Sequence, residues 1–308
     1  MRVVSTSSLP FALAMQNARV EIPEDFVGVA RCDLADADAL ICLLVDRIDA
    51  AVLARAPKLR VVANCAVGYD NVDVAACTAA GVAVTNTPDV LTEATAELAF
   101  ALILAAARRL PEGEGLIRGG AWPGWRLDQL LGIELHGKTL GVVGLGRIGR
   151  AVVARAEAFG MRAIWADPHA PGAVSIDTLF ATADVVSLHC PLTPETRSLV
   201  NAARLATMKR SAILVNTSRG GCVDEAALID ALRGGRIFAA ALDVYAREPE
   251  IDRRLVDCPR LILAPHIGSA TTETRTKMAE LCVAGVIDVL SGRRPRHLVN
   301  PEVVIRHG

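Results

Sequence analysis

The chain has 308 residues, of which 52% are hydrophobic and 22% charged, and its formal net charge is −1. This length is enough for two ordinary domains, and the balanced charge excludes an overall basic field that would recruit nucleic acid or an anionic membrane. No apolar stretch reaches membrane-spanning length without a charge or a helix-breaking residue, and a convincing signal sequence is missing. We therefore expect a cytoplasmic protein without nucleic-acid or membrane partners.

The eight cysteines are spread along the chain without a CxxC pair. Several lie in apolar runs, as Cys42 does in LICLLV. Such cysteines are typical of small buried side chains in a reducing compartment. The sequence therefore predicts neither a disulfide framework nor a metal site.

The first part of the chain alternates apolar runs of strand length with amphipathic segments. Strands buried on both faces and separated by helices predict a parallel sheet with helices on either side. The segments that carry this pattern are, in chain order, Leu40–Val45, Ala50–Ala56, Leu59–Asn64, Val72–Ala80 and Val82–Thr85.

A long helix is predicted over Leu91–Leu110, which contains no glycine or proline and carries its acids before its arginines. The turn at Asn86–Asp89 precedes this helix and indicates a domain boundary. A loop-like stretch with Trp122 and Trp125 follows it.

A second series of strands and helices begins at Thr139. Its predicted strands are Thr139–Gly144, Arg162–Asp167, Asp184–His189, Ala212–Asn216, Phe238–Asp243 and Leu261–Ala264, and its predicted helices are Ile148–Phe159, Asn201–Met208, Asp224–Leu232 and Thr274–Leu290. Six parallel strands complete a dinucleotide-binding domain of the Rossmann type. We therefore expect the C-terminal tail to return to the first domain, which gives domains of 1–88 plus 275–308 and of 89–274.

A GxGxxG motif, formed by Gly144, Gly146 and Gly149, directly follows a predicted strand and opens a helix. In this context the first glycine permits a tight turn, the second lets the backbone approach a pyrophosphate, and the third allows close helix–strand packing. Asp167, at the end of the next strand, is placed to accept hydrogen bonds from ribose hydroxyls and to repel a 2′-phosphate. Because no Arg or Lys follows Asp167 closely, this residue favours NAD over NADP. The alternative is a purely structural turn, with Asp167 as a strand-end cap.

Three charged residues follow strands of the second domain: Arg219 in VNTSRGG, Glu248 in LDVYAREP and His266 in LAPHIGSAT. Because a doubly wound sheet binds ligands at the carboxyl ends of its strands, these side chains are expected to converge. Singly, each has an ordinary structural explanation, as a core histidine, a surface arginine or a turn residue.

Together the three residues suit hydride transfer to a 2-oxoacid. Histidine titrates near neutral pH and can protonate the developing oxyanion. A carboxylate beside the imidazole stabilises its protonated form and orients it. A guanidinium can bind a substrate carboxylate with two parallel hydrogen bonds while polarising the ketone.

At these residues the sequence resembles the D-isomer-specific 2-hydroxyacid dehydrogenase family, and most of all its glyoxylate/hydroxypyruvate reductase branch. The resemblance covers nearly the whole chain. It rests on the runs GKTLGVVGLGRIGRAV, HCPLTPETRSLVN, LVNTSRGGCVDEAALIDAL, AALDVYAREP and LAPHIGSAT in the second half, and on ANCAVGYDNVDVAACTAAGVAVTNTPD in the first.

The resemblance implies a flavodoxin-like substrate domain that forms an interdomain cleft with the Rossmann domain. The backbone of Val67 and Gly68 would then bind the substrate carboxylate together with Arg219, and Leu44 would lie against the substrate side chain. It also implies a homodimer whose core includes the long helix near Leu91–Leu110 and in which Trp125 or its neighbour reaches the partner's active site. The further cofactor-binding residues that it implies are Thr95, Arg147, Ile148, Asp167, the loop Pro191–Thr196, Thr217 and Asp243.

Other proteins on this scaffold suggest alternative assignments of cofactor and function. Several similar glyoxylate reductases carry Ser or Asn followed by Arg at the position of Asp167 and use NADPH, so cofactor choice depends on this residue. The chain lacks the regulatory extension of many phosphoglycerate dehydrogenases. Formate dehydrogenases have Gln in place of Glu248, and phosphite dehydrogenases have a Lys where this chain has Ala66 and Val67. An NAD(H)-sensing, peptide-binding corepressor on the same scaffold remains an alternative, because such proteins can keep all three catalytic residues.

Overall fold

The computed structural model describes residues 1–8, 19–23 and 26–305. The chain divides into two compact units, Met1–Leu91 with Ala270–Gly308, and Thr92–Ser269. The sequence predicted these boundaries after residues 88 and 274. Each unit contains one parallel sheet, which confirms the predicted α/β class with two parallel-sheet domains.

The described strands and helices have the following bounds. The strands are β1 Arg2–Ser5, β2 Arg19–Glu21, β3 Ala39–Cys42, β4 Val61–Asn64, β5 Ala83–Thr85, β6 Thr139–Val143, β7 Arg162–Ala166, β8 Val185–Leu188, β9 Ile213–Asn216, β10 Ala239–Leu242 and β11 Leu261–Leu263. The helices are α1 Ala50–Ala54, α2 Val74–Ala79, α3 Thr92–Arg108, α4 Leu110–Arg118, α5 Arg147–Ala158, α6 Ile176–Thr182, α7 Ala202–Thr207, α8 Glu225–Arg233, α9 Arg253–Val256 and α10 Thr272–Leu290. None of these helices is both long and apolar enough to cross a membrane.

The sheet of the first unit has the order β2-β1-β3-β4-β5, which is the flavodoxin-like order. Successive residues of a strand point to opposite faces, so each face has its own core. Ile41 packs in the core that contains Val286 of α10, whereas Leu40 packs in the core that contains Val52 of α1 and Cys77 of α2. This double burial explains why the strands read as continuous apolar runs.

The C-terminal segment completes the first unit. The core on one face of its sheet is formed largely by α10, and beyond this helix the backbone N–H of Val299 donates to the carbonyl of Val84 at 2.8 Å. The sequence patterns did not predict β1 and β2, because their short segments, RVVS and RVE, include charged or polar residues and do not form an apolar run.

The sheet of the second unit has the order β11-β10-β9-β8-β6-β7, and all its strands are parallel. The chain passes from β6 to β7 on one side and then crosses to β8 on the other side of β6. The topological switch point, where doubly wound sheets bind ligands, therefore lies between β6 and β8. Counted from β6, the order is 2-1-3-4-5-6, which differs from the 3-2-1-4-5-6 order of two mononucleotide-binding halves.

The predicted long helix is interrupted near its end. The first helix, α3, ends where Arg109 adopts a left-handed φ of 54°, and α4 then begins with Pro111 in its first turn. The sequence did not predict α4, because its glycines, Gly113 and Gly115, lower its helix propensity.

Candidate active site

Apart from Thr95, which lies in α3, the predicted catalytic and cofactor residues of the second unit follow the ends of its strands. They lie on loops or, for Arg147, Ile148 and Gly149, in the first turn of α5. Gly144, Gly146 and Gly149 follow β6, Asp167 follows β7, Pro191 and Thr196 follow β8, Thr217 and Arg219 follow β9, Asp243 and Glu248 follow β10, and His266 follows β11. Because the strands are parallel, all of these loops leave the same edge of the sheet.

His266 and Glu248 form a direct pair. The Nδ1 atom of His266 lies 2.7 Å from Oε2 of Glu248, and the side chains are 28% and 20% exposed. The other carboxylate oxygen of Glu248 accepts the backbone N–H of Tyr245 at 2.8 Å. Both oxygens are therefore fixed, and the ring orientation is set by the bond at Nδ1.

The carboxyl group of Glu248 remains ionised despite its burial. Burial acts to raise its pKa, but the hydrogen bonds from His266 and the Tyr245 N–H and the charges of His266 and Arg219 outweigh this effect, so the pKa lies below its ordinary value. The contribution from Arg219 shows that its guanidinium lies within electrostatic range of the pair. The structure thus brings together the three residues predicted from the sequence.

The loop that carries Arg219 is held by Asn216, a fully buried residue at the end of β9. The Asn216 side chain donates to the carbonyl of Arg219 at 2.9 Å and accepts from the backbone N–H of Ser218 at 3.0 Å. Next to Arg219, a Cβ on Gly220 would lie 1.9 Å from the carbonyl carbon of Tyr245. The loops after β9 and β10 are therefore in direct contact, and only glycine fits between them.

The backbone of His266 adopts a left-handed φ of 53°, which a non-glycine residue rarely adopts. Asp243 holds the residues that follow, because its two oxygens accept the N–H groups of Ile267 and Gly268, each at 2.8 Å. Burial raises the pKa of Asp243, although both hydrogen bonds act to lower it. Thr95 completes this cluster, since a Cβ on Gly268 would lie 3.4 Å from its Cγ2.

A cavity of about 620 Å³ lies at the topological switch point. Gly144, Asp167, Pro191 and Thr196 of the predicted cofactor set line it, with His169 and Cys190. The Thr196 hydroxyl is bound within its own loop, donating to the carbonyl of Pro191 at 2.6 Å. The remaining predicted cofactor residues are not among those that line this cavity.

The glycine motif has the geometry that its spacing predicts. Gly144 has a φ of 91°, and a Cβ there would lie 2.8 Å from the carbonyl oxygen of His189. A Cβ on Gly149 would lie 2.3 Å from the carbonyl oxygen of Gly144, so helix and strand pack closely. By contrast, a Cβ on Gly146 would meet nothing within 4 Å. Gly146 precedes α5 without a side-chain cap, and α5 includes Arg147 and Ile148 as its first residues.

Two further features fit a dinucleotide at this edge. Asp167 is held rigidly, since its oxygens accept the N–H groups of Leu145 at 2.7 Å and of His169 at 2.9 Å. The hydrogen bond from His169, with that from Leu145, outweighs burial and lowers the pKa of Asp167. Thr217 has a buried hydroxyl with no hydrogen-bond partner in the described part of the chain, which a ligand at the end of β9 would satisfy.

The predicted substrate residues of the first unit also follow its strands. Leu44 lies after β3, and Val67 and Gly68 lie after β4; all three are half-buried. Trp125 of the second unit is 80% exposed, on a segment after α4. No contact within the described chain assigns a role to this indole.

Sequence reasoning missed several residues that hold the site. Asn216 and Tyr245 bind the loops of Arg219 and Glu248, and the Tyr245 hydroxyl donates to the carbonyl of Ala264 at 2.9 Å, two residues before His266. The position of Asn216 at the end of a buried apolar strand is a signal that could have identified it, because a buried amide needs partners.

A doubly wound sheet with a glycine turn at its switch point, an acidic residue after the next strand and a paired histidine at the same edge defines a nicotinamide dinucleotide-dependent oxidoreductase. Comparisons with known proteins agree. A family model described as D-isomer specific 2-hydroxyacid dehydrogenase, NAD binding domain, matches residues 100–268. The chain belongs to the D-isomer specific 2-hydroxyacid dehydrogenase family, and its relatives place it in the glyoxylate reductase branch.

Three relatives illustrate the similarity. The glyoxylate reductase of Aeropyrum pernix is 48% identical over 283 residues, which cover 87% of this chain and 84% of the relative. The structure of the TT0316 protein from Thermus thermophilus has a TM-score of 0.91 at 46% identity and covers 97% of this chain and 100% of its own. An NADPH-dependent glyoxylate/hydroxypyruvate reductase from Sinorhizobium meliloti, solved with NADP and malonate, has a TM-score of 0.84 at 32% identity and covers 100% and 98%.

Proposed function

We propose that this enzyme reduces a small 2-oxoacid, with glyoxylate or hydroxypyruvate as the preferred substrate, to the 2-hydroxy acid. The observation that carries the proposal is the His266–Glu248 pair at 2.7 Å on the sheet edge that also bears the glycine turn and Arg219. Its relatives named as glyoxylate reductases support the substrate class.

When bound, the nicotinamide cofactor supplies the hydride. The chain's own residues handle the proton and the charge. His266 uses Nδ1 to bind Glu248, which leaves Nε2 to donate a proton to the substrate carbonyl oxygen. Glu248 remains ionised and stabilises the protonated imidazole before the transfer. Arg219 binds the substrate carboxylate and draws electron density from the ketone.

The cofactor that this chain favours is NAD(H). A rigid, ionised Asp167 at the rim of the cavity can still accept ribose hydroxyls, because each of its oxygens has a second lone pair. The same charge repels a 2′-phosphate. The S. meliloti relative is NADPH-dependent, so cofactor preference is expected to follow the local residue and not overall similarity.

The family resemblance supplies the rest of the proposal. The first unit is the substrate-binding domain, in which the backbone N–H groups of Val67 and Gly68 bind the substrate carboxylate and Leu44 selects its side chain. Thr95, Arg147, Ile148, Thr217 and Asp243 bind the cofactor. The enzyme is a cytoplasmic homodimer in which Trp125 reaches the partner's active site.

The test is a panel of glyoxylate, hydroxypyruvate, pyruvate, phosphohydroxypyruvate and phosphite, run with the four nicotinamide nucleotides as appropriate. We expect the highest kcat/KM with NADH and glyoxylate or hydroxypyruvate. His266→Ala and Arg219→Ala should each lower kcat/KM by about 100-fold or more, because each removes a group that acts in the transition state. His136→Ala, on an exposed residue of the same unit, is the matched control.

Wild-type turnover in both catalytic variants would contradict the mechanism, and preferred oxidation of phosphite would contradict the substrate class.

A further inference from the structure

Three asparagines surround the loop that follows β4 in the first unit. Asn64 is the last residue of β4 and is fully buried, whereas Asn71 and Asn86 are half-buried. None of them was singled out from the sequence. The amides of Asn64 and Asn86 donate to carbonyls of the loop that contains Val67 and Gly68, and the amide of Asn71 contacts Asn64.

Three successive carbonyls of this loop accept hydrogen bonds from the first unit. The carbonyl of Ala66 accepts the backbone N–H of Thr87 at 2.9 Å. The next carbonyl, of Val67, accepts the side-chain amide of Asn86 at 2.8 Å, and that of Gly68 accepts the amide of Asn64 at 2.8 Å.

The backbone N–H groups of Val67 and Gly68 differ from the carbonyls of this loop in their hydrogen bonding. Within the described part of the first unit, neither the N–H of Val67 nor that of Gly68 donates a hydrogen bond. Half-buried N–H groups without acceptors are uncommon, and successive ones favour an anion. Because the carbonyls are held by donors, the peptide plane between Val67 and Gly68 cannot turn over without breaking a hydrogen bond to an amide.

The amide of Asn71 connects this loop to the loop after β3. Its side chain pairs with that of Asn64, with 3.1 Å between Nδ2 of Asn71 and Oδ1 of Asn64. The same Nδ2 donates to the carbonyls of Leu43, at 3.1 Å, and Asp46, at 2.9 Å, on either side of Leu44 and Val45. The buried Asp46 carboxylate in turn accepts the N–H of Leu43 at 2.9 Å.

We propose that Asn64, Asn71 and Asn86 are positioning residues that hold the Val67–Gly68 backbone with its N–H groups presented to the substrate carboxylate. This inference rests on the proposed function for the class of substrate. Asn64 and Asn86 act by binding carbonyls of the loop, and Asn71 acts by holding Asn64. Their contribution is to binding that is shared by the ground state and the transition state, so it affects KM more than kcat.

The experiment compares Asn86→Ala and Asn71→Ala with Asn300→Ala. Asn300 is a fully buried asparagine of the same unit, whose amide bonds to the backbone of Val82 and Val84 and lies outside this network. We expect the KM for glyoxylate to rise about tenfold in Asn86→Ala and Asn71→Ala, with kcat within threefold and the KM for NADH within twofold of wild type. Asn86→Gln, which retains a donor, should recover part of the loss.

Asn300→Ala should lower Tm but leave the KM for glyoxylate within twofold. Because Asn64 is fully buried and its removal risks misfolding, the two half-buried positions carry the test. A KM that stays at the wild-type value in Asn86→Ala and Asn71→Ala, or that rises equally in Asn300→Ala, overturns the inference.

Failure of the proposed function gives a different result, namely a wild-type protein that reduces no 2-oxoacid with either nucleotide. In that case oxalate, titrated calorimetrically into the NADH-saturated protein, replaces glyoxylate as the probe. Weaker oxalate binding in Asn86→Ala than in Asn300→Ala still supports the positioning role, and equal binding contradicts it.

Discussion

Two carboxylates on the loop after β10 contact the His266 loop in different ways. Glu248 binds the imidazole ring, and Asp243 binds the backbone N–H groups of the two residues after it. The pKa of Glu248 is lowered, while burial raises that of Asp243. One carboxylate therefore orients the ring, and the other holds the left-handed backbone that carries it.

Glu248→Gln tests the first of these contributions. Glutamine keeps the shape but removes the carboxylate charge beside the imidazole, so the pH dependence of kcat/KM for reduction should differ from that of wild type. Because the pKa of Glu248 is lowered in the folded chain, its ionised carboxylate also stabilises the fold at pH values above its ordinary pKa of 4.5. This contribution is lost as the pH falls through the lowered value. The Tm advantage of wild type over the variant should accordingly narrow in acid. Identical pH–rate profiles in the two proteins would contradict the pairing.

The proposed preference for NAD(H) rests on Asp167. Asp167→Ala should raise the ratio of kcat/KM with NADPH to that with NADH by about tenfold or more, because it removes a charge that repels the 2′-phosphate. Asp177→Ala, which removes an exposed acid of α6 in the same unit, is the control and should leave the ratio unchanged. A twenty-fold preference of the wild type for NADPH would refute the role given to Asp167.

At the scale of elements, the turn from β6 to α5 contains two glycines, Gly146 and Gly149, whose surroundings differ. Gly149 lies against the carbonyl of Gly144, so a side chain there meets backbone. Gly146 has a φ of −71° and open space beside it, so the folded chain tolerates a Cβ at that position. The protein alone therefore does not require glycine at 146.

Alanine at these two positions should have different effects. Gly146→Ala should keep the Tm within a few degrees of wild type but raise the KM for NADH severalfold, because its Cβ occupies space that the pyrophosphate approaches. Gly149→Ala should lower the Tm, since overpacking of this kind costs about 1–3 kcal/mol. Thermal unfolding and NADH titration check both variants. An unchanged NADH affinity in Gly146→Ala would show that the cofactor does not approach this turn.

At the scale of the whole molecule, the segment around α4 exposes an unusual amount of apolar surface. Its large exposed side chains are Leu110, Ile117, Trp122, Trp125, Leu127 and Leu131. A cluster of this kind marks an interaction surface. It supports the proposed homodimer, in which this segment packs against a second copy.

Leu127→Asp combined with Leu131→Asp should convert the dimer to a monomer, because charges at an apolar interface are desolvated without partners. Light scattering coupled to size-exclusion chromatography measures the mass. Val304→Asp, at another exposed apolar position, should leave the dimer intact. A wild-type protein that runs as a monomer at micromolar concentration would exclude this assembly.

Much of the second unit follows from the sequence. Its strands are mostly apolar runs, the glycine spacing is specific, and the side chains just beyond parallel strands must share one edge. For this reason Arg219, Glu248 and His266 could be grouped although 47 residues separate the first from the last. The class of fold and the type of chemistry are therefore encoded locally.

Only the tertiary structure decided which backbone N–H and carbonyl groups are hydrogen-bonded within the chain and which remain available to a ligand. The short strands β1 and β2 form by pairing with neighbouring strands, and no local period in the sequence indicates them. Likewise, Asn86 binds the carbonyl of Val67, 19 residues away, and Asn71 binds that of Leu43, 28 residues away, only when these segments meet. Hydrogen-bond partners depend on three-dimensional proximity, which a linear pattern of polar and apolar residues does not contain.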